Sequence, residues 1–378
     1  MGVNTMAETV TKKRIHEPKI TIAKRDDMIW WKAWLIRLAA IVVAMLLTGV
    51  LSTALANRSF GNVFEIMVRG AFGRLFENGK TFMLWKFLQD TAILLCLALA
   101  VTPAFKMKFW NCGAEGQALI GGLGAMICMR EIPEGALPAP LHVALVVVTG
   151  IVFGTAWGVI PALFKAQYNT NETLFTLMMN YVATQITAYY VVCASRGQTT
   201  VRPVNTGALP VLANEKYLLN ILVVVSIMVA MFFYLRYSKH GYEISVVGES
   251  RNTARYVGIN VKKVIVRTMA LSGAICGIAG VLLVAGTSHS INVNIIGGLG
   301  FTAILVSWLG QLNPFIMALM SALIVFINMG AGKVADTSFV NPSYSDIVAG
   351  IVILFVVGCE FFIRYAVKIR RNKKGAEV

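Results

Sequence analysis

Runs of mainly apolar residues about 20 long, the length that crosses a bilayer as a helix, recur along the chain. They fall at about 35–56, 84–105, 109–128, 140–164, 173–193, 217–236, 267–288, 294–312, 314–333 and 345–367. With 57% hydrophobic and 14% charged residues, a soluble domain of this size could not hide so much apolar surface. The pattern predicts an all-α polytopic membrane bundle of about ten transmembrane segments. Two windows, 109–128 and 294–312, are glycine-rich and open near Asn111 and Asn294, so broken or re-entrant segments are expected there.

The formal net charge of +16 is carried in tails and short connections, which fits a membrane topology and argues against a nucleic-acid face. Ten crossings with the N-terminus inside place 24 of the 34 Lys and Arg residues on the cytoplasmic side. Both termini are therefore expected in the cytoplasm. The implied organisation is a basic N-terminal tail over 1–34, a membrane-spanning region over 35–367 and a basic C-terminal tail over 368–378. The N-terminal tail would contact the lipid bilayer electrostatically. Between the first two windows, Phe60, Val63, Phe64, Met67, Val68, Phe72 and Leu75 predict an interfacial amphipathic helix.

Six cysteines and four histidines are dispersed without metal-ligand or redox spacing, so metal and disulfide chemistry find no support. Gly150, Gly154 and Gly158, and again Gly273 and Gly277, carry the spacing that lets membrane helices approach closely.

Polar residues at membrane depth are costly and mark candidate sites. Thr173, Thr176, Asn180, Thr184 and Thr187 fall on one face of a helix. Two readings fit them: a solute pathway, or hydrogen bonding between helices. Asn111, Glu115 and Gln117 lie within seven residues and precede Gly121, Gly122 and Gly124. A carboxylate there could cap a half-helix, accept a cargo hydroxyl, or satisfy the amides of a broken segment. Outside the apolar windows, the polar stretch at about 236–267 contains Gly248, Glu249, Asn252, Ala254, Tyr256 and Gly258, with a short helix expected over 252–257 and a glycine stop at Gly258.

The runs Asn111 to Gly121, Asn171 to Ala183 and Gly248 to Gly258, with Ala303 to Gly310 and Asn313-Pro314, resemble landmarks of one family. It is the simple-sugar and nucleoside branch of ABC-transporter permeases, and the resemblance covers about 35–367. It implies a bacterial inner-membrane importer subunit, in which two permeases, two ATPase domains and an extracytoplasmic substrate-binding lipoprotein cooperate. The Asn111 to Gln117 run resembles the longer of two paired nucleoside permeases, implying a heterodimeric second permease. Cys112 and Phe175-Thr176 depart from the family's usual pattern.

By that resemblance Gly248, Glu249, Asn252, Ala254, Tyr256 and Gly258 form the ATPase-coupling element. Asn111, Glu115, Gln117, Thr176, Asn180 and Thr184 are the candidate substrate-pathway residues. No cofactor is expected in this chain: the Gly332-Lys333 pair lacks the rest of a phosphate-binding loop, so ATP would be used by the partner ATPase. A simple sugar such as a pentose is the alternative cargo. A stand-alone ion-coupled secondary transporter would share the broken helices and buried carboxylate, whereas the residues offer no spacing that suits an intramembrane enzyme.

Overall fold

The computed structural model describes residues 20–24, 30–56, 60–73, 81–213, 215–338, 341 and 343–369. Its helices in chain order are α1 (Trp30–Ala56), α2 (Phe60–Phe72), α3 (Phe82–Lys106), α4 (Ala114–Glu131), α5 (Ala139–Tyr168), α6 (Glu172–Ser195) and α7 (Leu218–Tyr237). They continue with α8 (Lys239–Glu249), α9 (Arg251–Tyr256), α10 (Val261–Leu283), α11 (Leu299–Leu309), α12 (Pro314–Ser338) and α13 (Ser343–Arg364). A π-helical turn, Val284–Ser288, extends α10.

Contacts divide the chain into one unit of residues 1–47 with 351–378, and another of residues 48–350. In the first, β1 (Ile20–Lys24) and β2 (Tyr365–Ile369) pair antiparallel, with Ile20 opposite Ile369. This ribbon is the one sheet among the described residues, beside two isolated bridges, Thr200 with Asn292 and Leu212 with Glu215, in a chain that is otherwise helical. Ile36 and Ala40 pack there against buried Cys359 and Ile363.

Among the described residues six helices are long and apolar enough to cross a membrane: Phe82–Lys106, Ala139–Tyr168, Leu218–Tyr237, Val261–Ser288, Pro314–Ser338 and Asp346–Ile363. They differ in what surrounds them. α3 is buried along an unbroken run from Ala92 to Phe105, as befits a helix that is apolar all round and central. α5 and α7, with only 22% of their apolar windows buried, leave most of their side chains facing outward.

The window at 294–312 holds only α11, whose 11 residues rise about 16 Å, roughly half the hydrocarbon thickness. It therefore does not cross as a helix. The window at 109–128 resolves into an irregular stretch ahead of α4, whose 18 residues are almost wholly buried in protein. Irregular backbone at membrane depth is tolerated in such surroundings because protein groups replace the missing water.

Glycine sets the helix packing around α4. A Cβ added to Gly154 would come within 2.5 Å of the Gly273 carbonyl oxygen, and one on Gly277 within 2.5 Å of the Gly150 oxygen. The two glycine series read from the sequence therefore face one another across α5 and α10, where larger residues would force the backbones apart. α2 lays Val63, Met67 and Ala71 inward. It meets α12 where Met67 abuts Gly330, so its apolar face rests on protein. Leu75, expected on the same face, lies outside the described residues.

Candidate functional site

The stretch before α4 folds around the buried side chain of Asn111. Its Oδ1 accepts from the Gly113 amide at 3.1 Å and from Gln117 Nε2 at 3.1 Å, while its Nδ2 donates to Ser272 Oγ on α10 at 2.9 Å. Both amides are fully buried. An unpaired amide group at that depth would cost on the order of 1–3 kcal/mol, so mutual pairing is what makes the bend tolerable.

α6 braces the same bend from another side. Its start is fixed by Asn171, whose side chain accepts the Leu174 amide at 3.2 Å, and by the Lys165–Glu172 ion pair at 2.7 Å that ties it to the end of α5. One turn on, Thr176 Oγ1 accepts from the Cys112 amide at 3.2 Å. Asn180 Nδ2 donates to the Cys112 carbonyl at 2.8 Å, and its Oδ1 accepts the Gly116 amide at 2.9 Å. Asn180 thus replaces hydrogen bonds that the broken segment cannot make with itself. Thr184 Oγ1 bonds back to the Asn180 carbonyl at 2.9 Å. The polar stripe faces α4: Thr176, Asn180 and Thr187 are buried, while Thr173 and Thr184 are half-buried.

Glu115 reaches the opposite way. Its Oε1 accepts the Gly298 amide at 2.9 Å and its Oε2 the Gly300 amide at 2.7 Å. These are orphan donors at the start of α11, and an anion there also complements the helix dipole. Gly300 must be glycine, because a Cβ would come within 2.5 Å of the Glu115 backbone nitrogen. Asn111, Glu115, Gln117, Thr176 and Asn180 therefore meet at one joint linking α4, α6, α10 and α11, with Thr184 beside it one turn further along α6 and bonded to its own helix. Cys112, Glu115 and Thr184 are the half-buried residues here, so they are the ones that border accessible space.

The stretch at 236–267 is built rather than looped. Ser238 caps α8 by accepting the Gly241 amide at 3.0 Å, and Ser250 caps α9 by accepting the Thr253 amide at 3.2 Å. Asn260 likewise caps α10 through the Lys263 amide at 3.1 Å. α9 covers 251–256 and stops at Gly258, whose φ of +83° is the left-handed conformation expected of a glycine stop.

This hairpin sits on the ends of longer helices. Gly248 lies against the Lys106 carbonyl, where no side chain fits, and Lys106 Nζ donates to the Leu235 carbonyl at 3.0 Å. Arg267 pairs with Glu243 at 2.8 Å, with His240 3.5 Å from the same oxygen. The Arg267 hydrogen bond holds the Glu243 carboxyl below its ordinary value of 4.5. Of the six candidate coupling residues, Gly248 and Ala254 are buried and shape the hairpin, whereas Glu249, Asn252, Tyr256 and Gly258 are exposed. Tyr256, 92% exposed, is the most prominent.

Other polar contacts have weak sequence signals. Gln89 Nε2 donates to Thr287 Oγ1 at 2.9 Å and Asn220 Nδ2 to the same oxygen at 3.3 Å, joining α3 and α7 to the π-helical turn. Thr102 and Ser307 meet at 3.1 Å between α3 and α11. Single amides and hydroxyls near the ends of apolar windows were the available clue, but one-dimensional spacing does not pair them. α8 had a clearer signature, Ser238 followed by inward-facing Ile244 and Val247 at helical spacing.

Residues 83–357 match the family described as the permease component of branched-chain amino acid transport systems. Among similar proteins, the guanosine ABC transporter permease protein NupP of Bacillus subtilis is 31% identical over 351 residues, covering 90% of this chain and 97% of NupP. The glucose ABC transporter permease protein TsgB13 of Haloferax volcanii is 28% identical, covering 85% and 90%. The nucleoside ABC transporter permease protein NupB of Lactococcus lactis is 26% identical over the same shares of the two chains. With the family match spanning well over half of it, this multi-pass membrane protein belongs to the permease-component family of branched-chain amino acid transport systems, in company with the permeases of nucleoside and sugar ABC transporters.

Proposed function

We propose that the chain is the membrane-spanning permease subunit of an ATP-binding-cassette importer that carries a nucleoside across the bacterial inner membrane. The observation that carries this reading is the near end-to-end similarity to the guanosine permease NupP, which extends through both the bend before α4 and the α8–α9 hairpin. The subunit is a transporter component and not an enzyme. ATP is hydrolysed by a separate ATPase, which docks on the exposed side of α8–α9 at Glu249, Asn252, Tyr256 and Gly258. A second, non-identical permease and an extracytoplasmic substrate-binding lipoprotein complete the importer, and no cofactor is bound by this chain. Both termini lie in the cytoplasm.

Cargo passes the joint formed by Asn111, Glu115, Gln117, Thr176, Asn180 and Thr184. Glu115 and Thr184 border the path, and the buried amides behind them hold its wall. Glu115 keeps acceptor capacity beyond its two amide bonds, since a carboxylate has about four lone-pair sites, so it can receive a ribose hydroxyl. Movement follows from the hairpin's seat on α3, α7 and α10: a push on α8–α9 is transmitted to the helices that hold the joint.

A simple-sugar cargo is the second reading, favoured by the glucose permease TsgB13 and by the 25% identical ribose import permease RbsC of Escherichia coli. Uptake of labelled guanosine by cells with and without the gene, with unlabelled nucleosides, free bases and pentoses as competitors, separates the two. Competition by nucleosides alone supports the first reading. Competition by ribose moves the cargo to sugars.

A further inference from the structure

A cavity of about 460 Å³ lies between α2, the start of α3 and the end of α12, lined by Ile66, Arg69, Phe82, Met83, Lys333 and Thr337. Lys333 is the unexpected member, because it stands within an apolar helix long enough to cross the membrane. A charged side chain in such a helix is costly unless it reaches water, a counter-charge or the lipid head groups. The end of α12 at Ser338 lies five positions beyond Lys333, a rise of about 7.5 Å. That places the flexible ammonium near the depth where head groups begin.

Among the described residues, Lys333 has no ion pair. Asp336, three residues further along the same helix, does not reach it. Arg69 is held by Glu65 at 2.7 Å, so that charge is balanced locally and the cavity's positive charge is that of Lys333. The rest of the lining is chiefly apolar, and Phe82 and Met83 are both exposed. One unbalanced cation beside exposed hydrophobic side chains, at the end of a spanning helix, is complementary to an amphiphile with a negative head. A neutral nucleoside could accept hydrogen bonds from the ammonium but brings no negative charge to balance it.

We infer that this cavity binds an anionic phospholipid, with the head-group phosphate on Lys333 and an acyl chain along Phe82 and Met83. The site would fasten α2 to α12 at the bilayer surface, away from the joint around Asn111, and does not depend on the identity of the cargo. The test uses the full chain purified with its co-expressed partners, exchanged into phosphatidylglycerol or phosphatidylcholine of identical acyl chains, with retained lipid measured by native mass spectrometry. Wild type and Lys333→Arg should retain phosphatidylglycerol over phosphatidylcholine. Lys333→Glu should lose that preference roughly fivefold, the scale expected of one basic residue at an anionic surface.

Equal retention by wild type and Lys333→Glu would overturn the proposal. So would displacement of phosphatidylglycerol from wild type by millimolar inorganic phosphate alone, which would make this a site for the free anion. A second measurement needs no variant to fold. Phosphatidylglycerol with a photoreactive group should label wild-type peptides containing Phe82 and Met83 or Lys333, and labelling confined to other peptides would refute the assignment.

Discussion

Asn180→Leu strands two backbone groups, the Cys112 carbonyl and the Gly116 amide, which Asn180 holds at 2.8 and 2.9 Å. Each unsatisfied group costs on the order of 1–3 kcal/mol, so the melting temperature of the purified complex should fall along with uptake. Lost uptake at an unchanged melting temperature would show instead that Asn180 acts only on cargo. Tyr256 is the opposite kind of residue, projecting from α9 with little to support in its own chain. Tyr256→Ala should leave assembly intact and weaken stimulation of the ATPase by cargo-loaded receptor; full stimulation would remove Tyr256 from the coupling contact. Ala254 is fully buried, so a bulky charge there would disturb the hairpin itself and could not report on docking. Composition and helical spacing brought Asn111, Glu115 and Asn180 to notice as costly polar groups. They could not say which donor meets which acceptor, because Asn180 lies 64 residues from Gly116 and 68 from Cys112.

The helices respond to two kinds of constraint, close packing and end chemistry. Gly277 on α10 approaches the Gly150 carbonyl so closely that even an alanine must push α5 away, whereas Gly350 on α13 has open space around its Cβ position. Gly277→Val should therefore cost several kcal/mol through overpacking and abolish recovery of folded protein, while Gly350→Ala is tolerated. Equal recovery of both would contradict the close seam between α5 and α10. At the hairpin, the Arg267 bond keeps Glu243 ionised below its ordinary 4.5. Because the folded value is the lower one, the contribution is complete above about pH 4.5 and is lost as pH falls through the depressed value. Hydrogen exchange over residues 239–249, corrected for intrinsic rate, should thus show protection that declines on acidification, and Glu243→Gln should show the lowered protection already at pH 7. Pattern alone located the glycine seam and the short helix ending at Gly258. α8 escaped it because polar Lys239, His240 and Glu243 masked the inward Ile244 and Val247, and α11 was overextended because its window merged a glycine-rich loop with a half-length helix.

For the molecule as a whole, the apolar windows and the basic connections carried the membrane class. Burial separates central α3 from outward-facing α5 and α7, a distinction that hydropathy cannot make because protein interior and lipid are both apolar. In the proposed importer, force enters at α8–α9, is passed by α3, α7 and α10, and acts on the polar joint where α4, α6, α10 and α11 meet. A stand-alone secondary transporter would use the same joint with a different energy source. The direct measurement is uptake of labelled guanosine into proteoliposomes holding the purified complex and its receptor, with ATP on the ATPase side or with an imposed proton gradient instead. Uptake that requires ATP hydrolysis and is indifferent to the gradient is the result expected of an ATP-driven importer. Uptake driven by the gradient without ATP would contradict that assignment.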